Sequence, residues 1–249
     1  MGYDFLLNLV NNLFQGEKMY FGGYGLYLLI SLPALLLGLY AQAKVRGAFN
    51  KYSRVRTSNG MTGAEVARKI LDANNLSHVD IEQAKGSLSD HYDPRKKILR
   101  LSQSVYNTPS IAAAGVAAHE AGHAIQHADN YGPLALRSIM VPSVQVGSWL
   151  GPIIFMIGLL FASDSMALIG LLLFAATAVF SIVTIPVEMN ASKRAKAMLT
   201  STGIVYPSEM DGINQVLDAA ALTYVAGAVQ VISTLLYYAL LFFGGRRRR

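Results

Sequence analysis

Four stretches of this chain contain no Asp, Glu, Lys or Arg: residues 19–43, 138–163, 165–187 and 219–245. Each is longer than the roughly 20 mostly apolar residues that a helix needs to cross a bilayer. Within them, residues 26–41, 151–162 and 167–186 read as spanning helices; residues 221–243 are apolar but more mixed. The alternative is a soluble protein with four buried core helices. Four such runs in 249 residues argue against it. The first span starts late, lacks a basic leader and is too long for the apolar region of a signal peptide, so Ala41-Gln42-Ala43 is read as part of an anchor and not as a cleavage site.

Composition agrees. Charged residues make up 14% of the chain, against about 25% in an average soluble domain. There is no cysteine, which excludes a disulfide framework, a zinc ribbon and thiol catalysis; a metal must be held by His, Asp or Glu. The formal net charge is +6. The basic residues flank the apolar runs, so they point to anionic lipid and membrane topology, with no nucleic-acid partner.

Lys44, Arg46, Lys51, Arg54 and Arg56 follow the first span, and only Lys18 closely precedes it. The positive-inside rule then puts residues 44–137 in the cytoplasm. Residues 138–187 form a transmembrane hairpin turning at Ser163-Asp164-Ser165, and residues 188–218, with Lys193, Arg194 and Lys196, return to the cytoplasm. A full crossing by residues 219–243 carries the basic tail, residues 244–249, outside against the rule. Either that span does not cross, or the tail breaks the rule, or the tail is foreign to the natural chain. Pro33 in the anchor (residues 21–43, after an N-terminal segment 1–20) is tolerable where neighbouring helices cover the kink. Gly147 and Gly151 have the spacing that allows close helix approach.

Polar structure concentrates in residues 44–137. Thr62 and Glu65 form a capping-box pattern, followed by an apolar stripe of Val66, Ile70 and Leu71 that ends at Asn74-Asn75. Val79–Glu82 alternates like a short strand, Ser89–Lys96 reads as a turn-rich loop, and Lys97–Leu101 as a second strand. Ser110–Ala128 is a long Ala-rich helix.

That helix contains His119-Glu120-Ala121-Gly122-His123, an HExxH motif. Residues i and i+4 lie on one helical face, one turn apart, so both imidazoles can bind one Zn²⁺. Glu120 is rotated away by about 100°, beside the metal, where it can take a proton from water at the zinc. HExxH arises by chance in many proteins. Here the flanking residues are small and apolar, and two histidines and a glutamate on a buried stretch are costly without partners. The alternative is a pair of hydrogen-bonded structural histidines.

A catalytic zinc usually has three protein ligands. His127 lies eight residues past His119, about 12 Å along a straight helix, which is too far for the same ion and assigns it a supporting or structural role. Glu188, at the cytoplasmic end of the third span, is the better candidate. An ordinary interfacial glutamate capping a following helix is the alternative, and Glu209, Asp211 and Asp218 are rivals in more polar surroundings.

Ser89-Asp90-His91-Tyr92-Asp93-Pro94, Leu99-Arg100-Leu101-Ser102, Ser110-Ile111-Ala112-Ala113 leading into HExxH, and Pro186-Val187-Glu188 with Asn190-Ala191-Ser192 resemble, as a set, the bacterial YugP-like neutral zinc metallopeptidases. The resemblance runs from about residue 20 to residue 243. It implies a membrane zinc peptidase with His119, His123 and Glu188 as ligands and Glu120 as base. The layout also resembles the HtpX-like membrane proteases. Those typically carry an Asp four residues after the ligand glutamate, supporting a histidine; here that position is Ser192, and Asn190 is a second candidate for the role.

The expected fold is mainly α, a bundle of three to four membrane helices with a small α+β zincin-like cytoplasmic catalytic region. The expected function is zinc-dependent endopeptidase at the cell membrane, acting on peptides or proteins, membrane proteins among them. Substrate is expected to bind extended, as an added strand alongside residues 97–101, with His91, Tyr92 and Arg194 as candidate oxyanion donors. A membrane adaptor with a structural zinc site is the competing reading. It calls for a fourth protein ligand, and three are found. A transporter is disfavoured because the spans contain no ionisable residue.

Overall fold

The computed structural model describes residues 19–86 and 89–246. Residues 1–18 and Arg247–Arg249 lie outside them, and with these most of the expected N-terminal segment and half of the basic tail. The described chain is mainly helical with one small sheet. In order come α1 (Met19–Tyr52), α2 (Gly63–Ala73), β1 (Asp80–Ala84), β2 (His91–Asp93), β3 (Ile98–Ser102), α3 (Gln103–Tyr106), α4 (Ile111–Ala128), α5 (Gly132–Leu160), α6 (Asp164–Ser201), a 3-10 turn (Pro207–Glu209) and α7 (Met210–Arg246). Helices α1, α5, α6 and α7 are long and apolar enough to cross a membrane. These are the four expected spans.

Two compact units share these long helices. One consists of the α1 segment up to Leu39, Ser143–Val179, and the α7 segment from Ala226. Its buried core is small, centred on Phe155, Ala167, Leu171 and Phe242. Many of its largest apolar side chains face outward, among them Leu28, Leu36, Leu160, Phe161 and Leu172. Lipid as surrounding solvent accounts for that inversion. The glycine spacing acts as expected. A Cβ on Gly147 would lie 2.9 Å from the Leu173 carbonyl, and one on Gly151 would lie 2.9 Å from the Phe174 nitrogen. The backbones of α5 and α6 therefore touch where these glycines sit.

The other unit, Tyr40–Pro142 with Phe180–Val225, is built around α4. Ser110 caps that helix by accepting from the Ala113 N–H at 3.2 Å. Ala112, Ala113, Ala114, Ala117, Ala118 and Ala121 are all buried, so the helix is enclosed on every side, not on a single stripe. It packs against α2, whose Thr62–Glu65 capping box forms as expected. Val66, Ile70 and Leu71 from α2, Leu99 and Leu101 from β3, and Leu199, Ile213 and Leu217 from α6 and α7 complete the core.

The sheet order is β1-β3-β2, with β1 parallel and β2 antiparallel to β3. Leu99 and Leu101 face the core while Arg100, on the other face, joins Glu82 at 3.1 Å and Asp93 at 3.4 Å across both neighbouring strands. Two expectations change here. The stretch read as a loop over Ser89–Lys96 contains β2; three residues are too few for alternation to show, and it is the edge of β3 that holds them extended. Residues 97–101 also have no open edge for a substrate, because β3 is the central strand.

Helix α6 runs unbroken through Pro186. Glu188 is therefore an interior helical residue, not the N-terminal cap of a following helix. It faces α4 because the two helices make backbone contact. A Cβ added at Gly122 would lie 2.7 Å from the Ala191 carbonyl oxygen. Gly122→Ala is expected to force α4 and α6 apart and to cost about 1–3 kcal/mol. A lowered thermal midpoint of the detergent-purified protein checks this.

Candidate metal centre

One turn of α4 places His119 and His123 side by side, with ring centroids 4.8 Å apart and planes 86° from parallel. Across the Gly122–Ala191 contact, α6 presents Glu188, 2% exposed. Glu188 Oε2 lies 3.1 Å from His119 Nε2 and 3.4 Å from His123 Nε2. Donor atoms of the three residues all fall within 4.8 Å of one another, and among the described residues they form the single such His/Asp/Glu group.

Two imidazole nitrogens and a carboxylate oxygen are a donor set that zinc takes. Ligand atoms at about 2.0–2.1 Å from a tetrahedral ion sit roughly 3.3–3.4 Å apart, close to the 3.1 and 3.4 Å spacings found here. The residues present therefore fit the metal. The rival acids are engaged elsewhere. Glu209 accepts from the backbone N–H groups of Ser58 and Tyr206, at 2.7 Å each; Asp211 accepts from Gln215; and Asp218 pairs with Lys196.

Each histidine is fixed by its other ring nitrogen. His119 Nδ1 lies 3.1 Å from Ser192 Oγ, one turn beyond Glu188 on α6. The serine thus stands where an orienting partner is needed. His123 Nδ1 lies 2.9 Å from Gln126 Oε1. The fully buried Gln126 donates through Nε2 to the Val187 carbonyl at 2.8 Å and to Asn190 Oδ1 at 2.9 Å. Asn190 also accepts from Arg194 Nε at 2.9 Å, and Arg194 pairs with Asp129. Asn190 therefore reaches His123 through an intermediary that sequence reasoning missed. The available signal was position: Gln126 follows His123 by three residues and shares its helical face.

Burial opposes a charge on His123, but the hydrogen bond to Glu188 and the carboxylates of Glu120 and Glu188 outweigh it. In the metal-free protein they hold the His123 pKa above its ordinary value. Glu120 itself is buried, at 8% exposure, on the same turn of α4.

Two further residues meet Glu188. Arg137 Nη1 of α5 lies 2.9 Å from Glu188 Oε1, the other carboxylate oxygen. The Tyr224 side chain of α7 hydrogen-bonds Glu188 as well. Sequence reasoning used Arg137 only as the boundary of a span and left Tyr224 inside one. The expected oxyanion donors are occupied otherwise. His91 Nδ1 lies 2.8 Å from the Ser89 carbonyl, Tyr92 shares a 3.0 Å hydrogen bond with His127 Nδ1, and Arg194 holds Asn190 and Asp129. His127 thus faces β2, apart from the metal-type group.

Comparison with known proteins gives the family. A family model described as "Putative neutral zinc metallopeptidase" matches residues 27–243. A Bacillus subtilis (strain 168) protein described as "Putative membrane protease YugP" is 46% identical over 221 residues, covering 89% of this chain and 98% of that protein. No solved structure matches. With two histidines and a buried glutamate converging on one point, and a family match that extends over most of its length, the chain belongs to the neutral zinc metallopeptidase family.

Proposed function

We propose that the protein is a membrane-embedded, zinc-dependent endopeptidase with Glu120 as general base. The observation that carries this reading is the convergence of His119 Nε2, His123 Nε2 and Glu188 Oε2, with a buried carboxylate, Glu120, on the same helical turn. Three protein donors leave a fourth position open, as a catalytic zinc needs. A structural zinc site takes four, and among the described residues no further His, Asp or Glu joins the group.

Zinc held there supplies Lewis acidity to the scissile carbonyl and lowers the pKa of a water molecule to near 7. Glu120 accepts the proton as water adds to the carbonyl carbon. It then returns the proton to the amine nitrogen as the C–N bond breaks. Ser192 and Gln126 hold the two imidazoles in the tautomer that keeps each Nε2 lone pair free for the metal. Substrate seats as an added strand on β2. That strand packs against α4 and, among the described residues, pairs with β3 alone.

The four long apolar helices, with large apolar side chains facing outward, support a membrane location. The run of basic residues from Lys44 to Arg56 supports a cytoplasmic active site. Membrane proteins and their cytoplasmic segments are the substrates such a location favours.

Glu120→Gln is expected to keep about one zinc per chain and to lose peptide cleavage by at least about 10²-fold, in zinc analysis and a peptide-library assay on detergent-purified protein. If wild type and variant both hold zinc and neither cleaves, the structural-zinc adaptor replaces the peptidase.

Zinc requires a neutral imidazole, and the raised pKa of metal-free His123 means that protons compete with the metal from a higher pH than at an ordinary histidine. Zinc affinity is therefore expected to fall as pH drops from about 8 to about 6, beginning above the ordinary histidine value near 6.5. Chelator competition across that range measures it. In the metal-free protein the sign reverses. The His123–Glu188 interaction stabilises the fold at acid pH, and this contribution is lost as pH rises through the His123 folded-state pKa.

A further inference from the structure

The two oxygens of Glu188 face different partners. Oε2 points at both histidines, and Oε1 is held at 2.9 Å by Arg137 Nη1. A carboxylate left to itself binds zinc through one oxygen or through both, and two-oxygen binding fills the position that water and substrate need. An arginine on Oε1 removes that choice. A guanidinium ion-paired with that oxygen competes with the metal for it.

We infer that Arg137 is a positioning residue that makes Glu188 a one-oxygen ligand and so keeps the catalytic zinc open. This rests on the ligand set proposed above and goes beyond it. Arg137 is only 28% exposed, and it lies in the turn-and-helix segment that follows α4 directly in sequence. The same short stretch of chain thus carries the two histidines and the group that orients their partner on α6.

The sign of one measurement separates this role from plain electrostatics. Arg137 and zinc are both cations. If the arginine acted only through its charge, removing it would tighten zinc binding. A positioning role predicts the opposite.

Arg137→Gln keeps a hydrogen-bond donor beside the buried carboxylate, and Arg137→Lys keeps the charge but not the planar fork. Zinc affinity by chelator competition is expected to fall about 10–100-fold in Arg137→Gln and by less in Arg137→Lys. In the cobalt-substituted protein both variants should lose visible d–d absorption intensity, as a four-coordinate ion becomes five-coordinate. If Arg137→Gln fails to fold, the lysine variant carries the test through the same two readouts. Unchanged or tighter zinc binding, or an unchanged cobalt spectrum, overturns the inference. Glu188→Ala is the control for the underlying reading. It should lose zinc far more severely than either arginine variant. If it binds zinc like the wild type, the ligand set itself is wrong, and the role of Arg137 falls with it.

Discussion

A carboxylate removed almost wholly from water must be met by cations and donors, and the unit around α4 is organised to meet Glu188. His119 and His123 come from α4, Arg137 from α5 and Tyr224 from α7. Desolvating such a group costs several kcal/mol, and only dense, well-directed partners offset it. One acid on α6 thus meets side chains from three other helices, α4, α5 and α7.

The convergence depends on small residues. Gly122 lets the α4 backbone reach the Ala191 carbonyl, and the buried alanines of α4 leave room for neighbours on all sides. The HExxH residues are therefore on a helix that is inside the protein before any metal is considered. That burial calls for partners at the far ring nitrogens, which Ser192 and Gln126 supply.

The sequence made the local features legible and left the convergent ones dark. Charge-free runs announce the four long helices because length and composition are properties of a single segment. The HExxH spacing is equally local, since one helical turn separates its histidines. Glu188 stood out as an acid against an apolar span, though its neighbours gave no sign that Pro186 leaves the helix intact. Arg137 and Tyr224 were not readable, because their roles depend on how separate helices face one another around residue 188. Of the oxyanion candidates, Tyr92 and Arg194 have partners far along the chain, His127 and Asp129, which no local pattern shows. Strand β2 was hidden for another reason. Three residues beside Asp93-Pro94 look like a turn until β3 supplies a partner.

Gln126 gives the hydrogen bonding behind the site a direction. Its amide nitrogen spends both protons on oxygens of α6, the Val187 carbonyl and Asn190 Oδ1, so its oxygen is left as a pure acceptor. His123 must answer with an N–H at Nδ1, and the lone pair of the ring is then delivered at Nε2. Polarity flows one way along this relay, like current through a diode. A glutamate in the same place would match the shape, but with only acceptors it would leave two oxygens of α6 facing lone pairs. The direction in which one uncharged side chain lies thus determines which atom of a histidine looks into the reaction centre.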